Sequence, residues 1–403
     1  MMVQPWIHII GIGEDGMVGL SPEAMYYLGE AEVIIGGDRH HGLTDDLPAE
    51  RISWPSPFDA LIDRIRSLKG RRLVILVTGD PLWYSVGARI SRAIPADEIR
   101  FHPQLSAFQW ASARMGWSLA DVETLTIHGR PDSQIIPHLA PNVRLLVLTQ
   151  SGDSPRQVAR ILCERGFGNS KLTVLAALGG EREERLEGLA KDWDHPAPDF
   201  HTLAIECEAS AEAQWHSRVG GLPDDAFVHD GTMTKRHVRS MTISALAPYP
   251  DALLWDVGAG CGSISVEWMR AARGARAIAL EPKEQRCDMI SKNARALGTE
   301  KIEVVCAEAP NGLGGLDVPD AIFIGGGLTD KGVFDVCWSN LREGGRLVAN
   351  VVTLESEAEL SRLHMQYGGD LTRLSIQNAE AIGDFRGWRS AMPVTQWVVE
   401  KRS

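Results

Sequence analysis

The residues of this chain best suited to chemistry surround a glycine-rich turn in its second half. An apolar segment ends in Asp256, and the turn that follows contains Gly258-Ala259-Gly260-Cys261-Gly262. Glycine has no Cβ atom, so such a turn lets the backbone approach a ligand closely. The next apolar segment ends in Glu281, 281 − 256 = 25 residues after Asp256, where a carboxylate accepts hydrogen bonds from ribose hydroxyls. We therefore predict that Asp256, Glu281 and this turn bind a nucleotide-type cofactor.

The spacing of the glycines indicates the class of that cofactor. A dinucleotide-binding turn reads G-x-G-x-x-G, but Ser263 stands at its last position here. The pattern D-x-G-x-G-x-G resembles motif I of Rossmann-like methyltransferases, which implies that S-adenosylmethionine binds at the turn. This cofactor has no pyrophosphate, so the following helix need not receive an anion at its N-terminus. The same fold implies that Glu308 and Ala309, after the third strand of this half, lie beside the adenine.

A basic segment, Lys235-Arg236-His237 with Arg239, precedes the glycine-rich turn. Lysine and arginine side chains bind carboxylates, so Lys235, Arg236 and Arg239 are predicted to hold a polycarboxylate substrate. The alternative is an exposed helix start that is capped by Thr234 and carries its charges outward. Thr234 is also predicted to contact the cofactor.

Three consecutive glycines, Gly325-Gly326-Gly327, follow the fourth strand of this half. Methyltransferases that act on nucleic-acid bases carry Asp-Pro-Pro or a similar motif here, whereas glycines supply no nucleophile and no base. They leave room for a bulky, flat substrate close to the methyl donor, and we predict that they contact it. A flexible turn is the alternative interpretation.

Length and composition exclude several classes of protein. A chain of 403 residues is expected to form two or three domains. Its net charge of −12 argues against broad nucleic-acid binding, which needs a basic surface. No apolar run is long enough to span a membrane, and the first residues do not resemble a signal peptide, so a cytoplasmic protein is expected.

The cysteines are scattered and form no C-x-x-C pair. They lie at positions 163, 207, 261, 287, 306 and 337. No histidine stands near them at the spacing of metal ligands, so we predict no metal site. We interpret all six as reduced thiols of a cytoplasmic protein.

Apolar strands alternate with helices along both halves, which predicts an α/β fold with mostly parallel sheets. Strands are predicted at 6–10, 31–35, 72–77, 144–149, 172–176, 202–206, 252–257, 275–281, 302–306, 320–324, 345–352 and 395–401. Helices are predicted at 57–68, 87–93, 105–115, 155–165 and 264–272. The alternation lapses between Cys207 and Pro223, so we predict one domain at 1–210 and another at 211–403.

The second half resembles the decarboxylating precorrin methyltransferases of cobalamin biosynthesis over most of residues 222–403. Five motifs occur in the order of that family, and together they are more specific than the glycine turn alone. They are Leu222-Pro223-Asp224-Asp225-Ala226-Phe227, Thr-Lys-x-x-Val-Arg at 234–239, the segment 256–267, Phe323-Ile324-Gly325-Gly326-Gly327, and Asn350-Val351-Val352-Thr353-Leu354-Glu355. By their positions in these motifs, His237 and Glu355 are candidates for the catalytic proton donor.

The first half resembles the tetrapyrrole methylases over about residues 6–206. This resemblance implies two lobes with S-adenosylmethionine between them. Its motifs are Gly11-Ile12-Gly13, Thr78-Gly79-Asp80-Pro81-Leu82-Trp83-Tyr84-Ser85, and Pro103-Gln104-Leu105-Ser106-Ala107-Phe108-Gln109. It implies cofactor contacts at Gly79, Asp80, Ser106 and Ala107, and substrate contacts at Gly11 and Gly13. The chain departs from the family at Glu14-Asp15, where Pro-Gly is commoner, and at Ala107, where serine is commoner.

The fusion of the two halves resembles the family of decarboxylating precorrin C5,15-methyltransferases. Two S-adenosylmethionine sites per chain are implied, with methylation at C5 and C15 of the macrocycle and loss of carbon dioxide from the ring C acetate. Three alternatives stay open. The substrate could contain cobalt, the chain could methylate RNA or protein, or its first half could be a binding domain without catalytic activity. A homo-oligomer is expected, with a tetramer as the specific guess.

Overall fold

The computed structural model describes residues 5–402 and divides into two compact units. One unit is formed by Met1–Asp132 with Ala140–Gln214, and the other by Ser133–Leu139 with Trp215–Ser403. The domain boundary proposed between residues 210 and 211 stays a prediction.

The first lobe of the first unit is built on a parallel sheet of five strands in the order β3-β2-β4-β1-β5. Its elements are β1 (Ile7–Ile12), α1 (Pro22–Gly29), β2 (Val33–Gly36), α2 (Asp38–Gly42), β3 (Glu50–Ser53), α3 (Leu61–Ser67), β4 (Leu73–Thr78), α4 (Gly87–Ala93) and β5 (Ile99–His102). All six residues of β1 are buried, as expected of a parallel strand covered on both faces. Because the strands are parallel, the loops that follow β1, β2, β4 and β5 lie at the same edge of the sheet.

The second lobe contains a mixed sheet of five strands in the order β6-β7-β10-β8-β9. Its elements are α5 (Ala107–Met115), β6 (Glu123–Thr126), β7 (Arg144–Leu148), α6 (Ser154–Glu164), β8 (Lys171–Ala176), β9 (Glu184–Leu189) and β10 (His201–Glu206). Only β6 and β7 pair in parallel, and the other three pairings are antiparallel. The expectation of mostly parallel sheets is therefore wrong for this lobe. The sequence motifs did not reveal this, because a buried strand has the same apolar pattern in either direction.

The second unit is built on a sheet of seven strands in the order β13-β12-β11-β14-β15-β19-β16. Its elements are α7 (Arg236–Leu246), β11 (Leu253–Val257), α8 (Ser263–Ala271), β12 (Arg276–Leu280), α9 (Glu284–Ala296), β13 (Glu303–Val305), β14 (Ala321–Ile324), α10 (Val333–Asn340), β15 (Arg346–Val351), α11 (Leu354–Tyr367), β16 (Asp370–Leu374), β17 (Gln377–Ile382), β18 (Phe385–Ser390) and β19 (Val394–Glu400). Strands β11 to β15 are parallel, β19 is antiparallel to both of its neighbours, β15 and β16, and β17 pairs with β18 in a separate hairpin.

The order of the strands places the ligand crevice of the second unit. Strand β11 lies between β12, which follows it in sequence, and β14, so the strand order reverses beside β11. Open α/β sheets bind ligands at such a reversal, outside the carboxyl ends of the strands. The glycine-rich turn follows β11 and the three glycines follow β14, so both lie at this point.

Crossing a bilayer requires a helix that is both long and apolar, and this applies to the helices of residues 5–402 as well. None of them is both long enough and apolar enough to do so.

Candidate functional site

The glycine-rich turn joins β11 to α8 in a conformation that favours glycine. Gly258, Gly260 and Gly262 have φ angles of 72°, 59° and 79°, in the left-handed region. A Cβ atom on Gly258 would lie 2.9 Å from the backbone nitrogen of Gly326. The turn after β11 and the glycines after β14 are therefore in close backbone contact. The structure thus brings together the groups predicted to hold the cofactor and the substrate.

The carboxylate of Glu281 binds the backbone of this turn. It accepts hydrogen bonds from Gly260 N–H at 2.9 Å and from Lys283 N–H at 3.2 Å. The residue is 2% exposed. Because it binds Gly260 N–H, the end of β12 holds the centre of the turn in place. A carboxylate has about four acceptor positions, and those left over suit ribose hydroxyls. This arrangement fits the adenosine part of S-adenosylmethionine, while the contact itself stays a prediction.

Asp256 is fully buried below the turn and contacts the following helix. Its Oδ2 accepts hydrogen bonds from Ser265 N–H at 3.1 Å and from Ser265 Oγ–H at 2.7 Å. Burial raises the pKa of Asp256 to about 6, against the opposing effect of these hydrogen bonds. Its Oδ1 has no hydrogen-bond partner within the described chain. The contacts of Asp256 thus fix α8 to the end of β11, and its contact with the cofactor stays a prediction.

Ala259 is half-buried and Cys261 is buried in the core. Asn293 of α9 donates a hydrogen bond from Nδ2 to the carbonyl oxygen of Cys261, and another to that of Val228, both at 2.9 Å. Its Oδ1 accepts a hydrogen bond from Val228 N–H at 2.8 Å. Asn293 therefore ties the turn to the segment before α7. Sequence reasoning missed this residue, since a lone asparagine in a polar helix carries no motif.

The prediction that Arg239 binds substrate is contradicted by its burial. Its side chain is 0% exposed, and Nε donates to Glu267 Oε1 at 2.5 Å. Nη1 donates to Asp224 Oδ1 at 3.0 Å, and the guanidinium lies 4.8 Å from the centre of the Phe227 ring. Glu267 in turn accepts the N–H groups of residues 221 and 222. Arg239 therefore holds the segment 221–227 against α7 and α8, and its guanidinium donates four hydrogen bonds to protein atoms.

The other members of the basic segment are exposed at the start of α7. Lys235, Arg236 and His237 all have exposed side chains, and Arg236 Nε donates to the carbonyl oxygen of Gly221 at 2.9 Å. The N-cap of α7 is Lys235, with no side-chain cap, so the suggested cap at Thr234 is wrong. Thr234 is half-buried and uses its carbonyl oxygen to accept from Arg239. Lys235 and Arg236 remain available for an anionic ligand.

The remaining predicted residues of the second unit follow other parallel strands. Glu308 is exposed and Ala309 half-buried in the loop after β13, and Glu355 is exposed in the first turn of α11, after β15. Gly325 and Gly326 are exposed, and Gly327 is half-buried with a φ of 78°. Since β11 to β15 are parallel, all of these loops lie at the carboxyl edge that carries the glycine-rich turn. His237 and Glu355 stay candidates for proton transfer.

One pair of cysteines contradicts the prediction of six reduced thiols. Cys287 and Cys306 form a disulfide with a Cα–Cα distance of 6.2 Å. Cys287 lies in the first part of α9, after β12, and Cys306 lies just after β13. Because β12 and β13 are parallel neighbours, these two positions meet at the carboxyl edge of the sheet. The other four cysteines are free.

In the first unit, three predicted loops meet at the carboxyl edge of the parallel sheet. A Cβ atom on Gly11 would overlap the carbonyl oxygen of Gly79 and lie 2.9 Å from Gln104 Cβ. Gly79 has a φ of 62°, and a Cβ atom there would lie 3.0 Å from the Cα of Ser106. The ends of β1 and β4 therefore approach the start of α5 closely. Only residues without a side chain permit this approach at Gly11 and Gly79.

Polar side chains of these loops form hydrogen bonds with the nearby backbone. Asp80 Oδ1 accepts from Leu82 N–H at 2.7 Å, as in a turn. Ser106 is the N-cap of α5 and forms a capping box with Gln109. Ala107 is the first residue of that helix. Gly13 packs against Asp15, whose Oδ1 would lie 2.5 Å from a Cβ atom on that glycine. Whether these residues bind cofactor or substrate stays a prediction.

Comparison with known protein families divides the chain as the motifs do. A model of the tetrapyrrole (corrin/porphyrin) methylases matches residues 7–194. A model of the precorrin methyltransferase domain matches residues 225–401. These matches, with the mixed α/β architecture, confirm the predicted pair of folds.

Two relatives align with both halves. A precorrin-6Y C(5,15)-methyltransferase (decarboxylating) from Sinorhizobium sp is 44% identical over 401 residues, which cover 98% of this chain and 96% of the relative. A protein of the same name from Mycobacterium tuberculosis (strain ATCC 25618 / H37Rv) is 39% identical over 403 residues, covering 98% of this chain and 100% of the relative. A solved structure, the C-terminal domain of precorrin-6Y C5,15-methyltransferase from Rhodobacter capsulatus, is 45% identical, covers 46% of this chain and 100% of its own, and has a TM-score of 0.44.

Proposed function

Because the chain belongs to the precorrin-6Y C5,15-methyltransferase (decarboxylating) family, we propose that it methylates precorrin-6B at C5 and C15 and removes carbon dioxide from the ring C acetate. The product is precorrin-8X, an intermediate of cobalamin biosynthesis. The observation that carries the proposal is the 44% identity that extends over 98% of the chain, and so over both units. The cobalt-free macrocycle is proposed because both of these relatives are named for precorrin-6Y.

The chain is an S-adenosylmethionine-dependent methyltransferase, and we propose that each unit binds one molecule of this cofactor. In the second unit, Glu281 and the turn at 258–262 hold the cofactor. In the first unit, the loops that carry Gly79 and Ala107 do so. The sulfonium of the cofactor supplies an electrophilic methyl group. The residues of the chain then have to align the accepting carbon with it and exclude water.

The substrate of the second unit is proposed to lie over the glycines at 325–327, where their contact with Gly258 brings it close to the methyl donor. The exposed cations Lys235 and Arg236 suit carboxylates of the macrocycle, whereas the buried Arg239 is not proposed to bind the substrate. Decarboxylation requires an electron sink, which the conjugated macrocycle provides once a proton is delivered. His237 and Glu355, both exposed, are the proposed carriers of that proton.

We also propose that the protein is a homo-oligomer, with a tetramer as the specific state. The hairpin β17–β18 supports this, because it lies outside the main sheet and nearly every residue in it is exposed. Phe385 is 80% exposed and Trp388 75%. A two-stranded hairpin has little stability of its own in water, so burial of these rings against another copy of the chain would stabilise it. We propose that nucleic acid is not among its partners, because its net charge is −12. We also propose a cytoplasmic location.

The reaction is tested by mass spectrometry of the tetrapyrrole after incubation with precorrin-6B and methyl-labelled S-adenosylmethionine. We expect two labelled methyl groups and the loss of one carbon dioxide. Glu281→Ala is expected to remove one of the two methyl groups, because it releases the turn of only one unit. A wild-type product with a single methyl group would contradict the proposal that both units are catalytic, and an unchanged substrate would contradict the proposed reaction.

A further inference from the structure

Thr78 occupies the point in the first unit where the loops of the parallel sheet meet. It is the last residue of β4, directly before Gly79, and its side chain is exposed. Two residues at the start of α2, Arg39 and His40, surround its hydroxyl group. Strands β1, β2 and β4 are parallel neighbours, so these side chains lie at the edge of the sheet where ligands bind.

The protonation of His40 follows from its hydrogen bonds. Gly37 N–H donates to Nδ1 at 3.1 Å, so Nδ1 carries no proton. Burial, with Arg39 next in importance, lowers the pKa of His40 to about 4, so the ring is neutral near pH 7. A neutral imidazole with a bare Nδ1 carries its proton on Nε2. Nε2 lies 3.0 Å from Thr78 Oγ1 and therefore donates to it.

Arg39 supplies a second donor to the same oxygen. Its Nη2 donates to Thr78 Oγ1, and its Nη1 pairs with the carboxylate of Glu14. The guanidinium also lies 4.2 Å from the centre of the Phe200 ring, which fixes its plane. Arginine has no acceptor atom, so the direction of its hydrogen bond to Thr78 is unambiguous.

The Thr78 hydroxyl keeps its O–H donor for a ligand, because both of its acceptor positions are filled. A hydroxyl oxygen has two acceptor positions and one O–H donor. His40 and Arg39 fill both acceptor positions, and within residues 5–402 no acceptor is found for the O–H. Donation to the oxygen by two N–H groups polarises the O–H and strengthens it as a donor. The two N–H groups also disfavour a cation here, so the matching ligand group is an acceptor oxygen.

We propose that the Thr78 hydroxyl donates a hydrogen bond to a carboxylate of a ligand bound in the first unit, with His40 and Arg39 as positioning residues. The inference rests on the proposed function, since it requires that this unit binds a methyl donor and a tetrapyrrole. Two carboxylates have the required chemistry: that of the amino-acid end of the cofactor, and that of a side chain of the macrocycle. Arg39 is already neutralised by Glu14, so Thr78 supplies the directed contact.

The full-length chain with Glu281→Ala is the background for the test, because it leaves one cofactor site by the proposed function. Binding of S-adenosylhomocysteine is measured by calorimetry in this background and in variants that add Thr78→Val or Thr78→Ser. Valine keeps the shape without the hydroxyl, and serine keeps the hydroxyl. Ser91→Ala removes an exposed hydroxyl elsewhere in the same unit and is the matched control.

A carboxylate of the cofactor is identified if Thr78→Val weakens binding roughly 10- to 100-fold, the usual effect of losing a hydrogen bond to a charged group. If binding is unchanged, a roughly 10- to 100-fold rise in the KM for precorrin-6B identifies a carboxylate of the substrate. In both cases Thr78→Ser and Ser91→Ala stay close to the background. If Thr78→Val changes neither quantity, the hydroxyl donates only to water and the inference is overturned.

Failure of the proposed function gives a different result. The Glu281→Ala chain would then bind no S-adenosylhomocysteine at all, whatever residue stands at 78.

A further variant separates positioning from folding. If His40 acts through Thr78, His40→Gln weakens the same step in the background chain but adds no further loss to Thr78→Val. Full additivity of the two substitutions would show that His40 does not act through this hydroxyl.

Discussion

At the scale of single residues, burial separates side chains that look equivalent in the sequence. Lys235 and Arg239 belong to one basic segment, but only Lys235 is exposed. Arg239 and Glu267 are both 0% exposed and form an ion pair, which also engages Asp224. Removing one partner of such a pair leaves an uncompensated charge in the interior. The two cations therefore have different consequences for the protein when they are replaced.

We expect Arg239→Ala to lower the free energy of unfolding by about 3–5 kcal/mol, because it leaves Glu267 charged and buried. Lys235→Ala, the matched control, is expected to change this free energy by less than about 0.5 kcal/mol and to raise the KM for the tetrapyrrole. Urea unfolding and steady-state kinetics measure the two effects. Wild-type stability in Arg239→Ala, with a raised KM, would contradict the structural role of Arg239.

The buried carboxyl of Asp256 makes stability depend on pH. Burial raises its pKa to about 6 from the ordinary value of 3.8 for an aspartate. The folded state therefore favours the protonated form. This contribution to stability is complete below about pH 4 and is lost as the pH rises through about 6. The shift corresponds to about 3 kcal/mol.

Asp256→Asn tests this dependence, because asparagine keeps an acceptor for Ser265 N–H and does not titrate. We expect the free energy of unfolding of the variant to gain about 3 kcal/mol on that of the wild-type protein between pH 4 and pH 7. Chemical unfolding of both proteins across this range gives the difference. A difference that does not change with pH would show that Asp256 is ionised in the folded state throughout.

At the scale of elements, the buried apolar strands could be predicted from the sequence, whereas the hairpin β17–β18 could not. The predicted strand at 252–257 is found as β11 at Leu253–Val257, and the predicted helix at 87–93 is α4, Gly87–Ala93. Buried parallel strands are uniformly apolar, and that pattern is local. Strand β17 reads Gln-Asn-Ala-Glu-Ala-Ile and is exposed throughout, so no such pattern marks it. Its strand conformation depends instead on its backbone pairing with β18, which its composition does not indicate.

Replacing both exposed rings of the hairpin, Phe385→Ser with Trp388→Ser, is expected to lower the mass of the oligomer. The rings are proposed to be buried against another copy, and their loss removes that apolar contact. Light scattering coupled to gel filtration measures the mass. Arg386→Ser alters an exposed residue of the same hairpin that carries no apolar ring, and it should leave the oligomer intact. An unchanged mass in the double variant would exclude the hairpin from the interface.

At the scale of the whole molecule, the number of cofactor sites distinguishes two catalytic units from one. We expect calorimetry to give two molecules of S-adenosylhomocysteine per wild-type chain, since each unit has its own set of loops at a parallel sheet. Glu281→Ala should reduce the number to one, because Gly260 loses the acceptor that holds its N–H. One molecule per wild-type chain would make the first unit a non-binding domain.

The sequence by itself determined the class of fold and the positions of the two glycine-rich loop systems. Those features depend on local properties, namely the apolar content of strands and the conformations open to glycine. Only the tertiary structure decided which charged side chains face solvent, since Arg239 is paired with a glutamate 28 positions away. It also joined Cys287 to Cys306, and it directed His40 and Arg39 onto one hydroxyl. Such contacts join residues far apart in the chain, and strand order, which no local pattern records, brings them together.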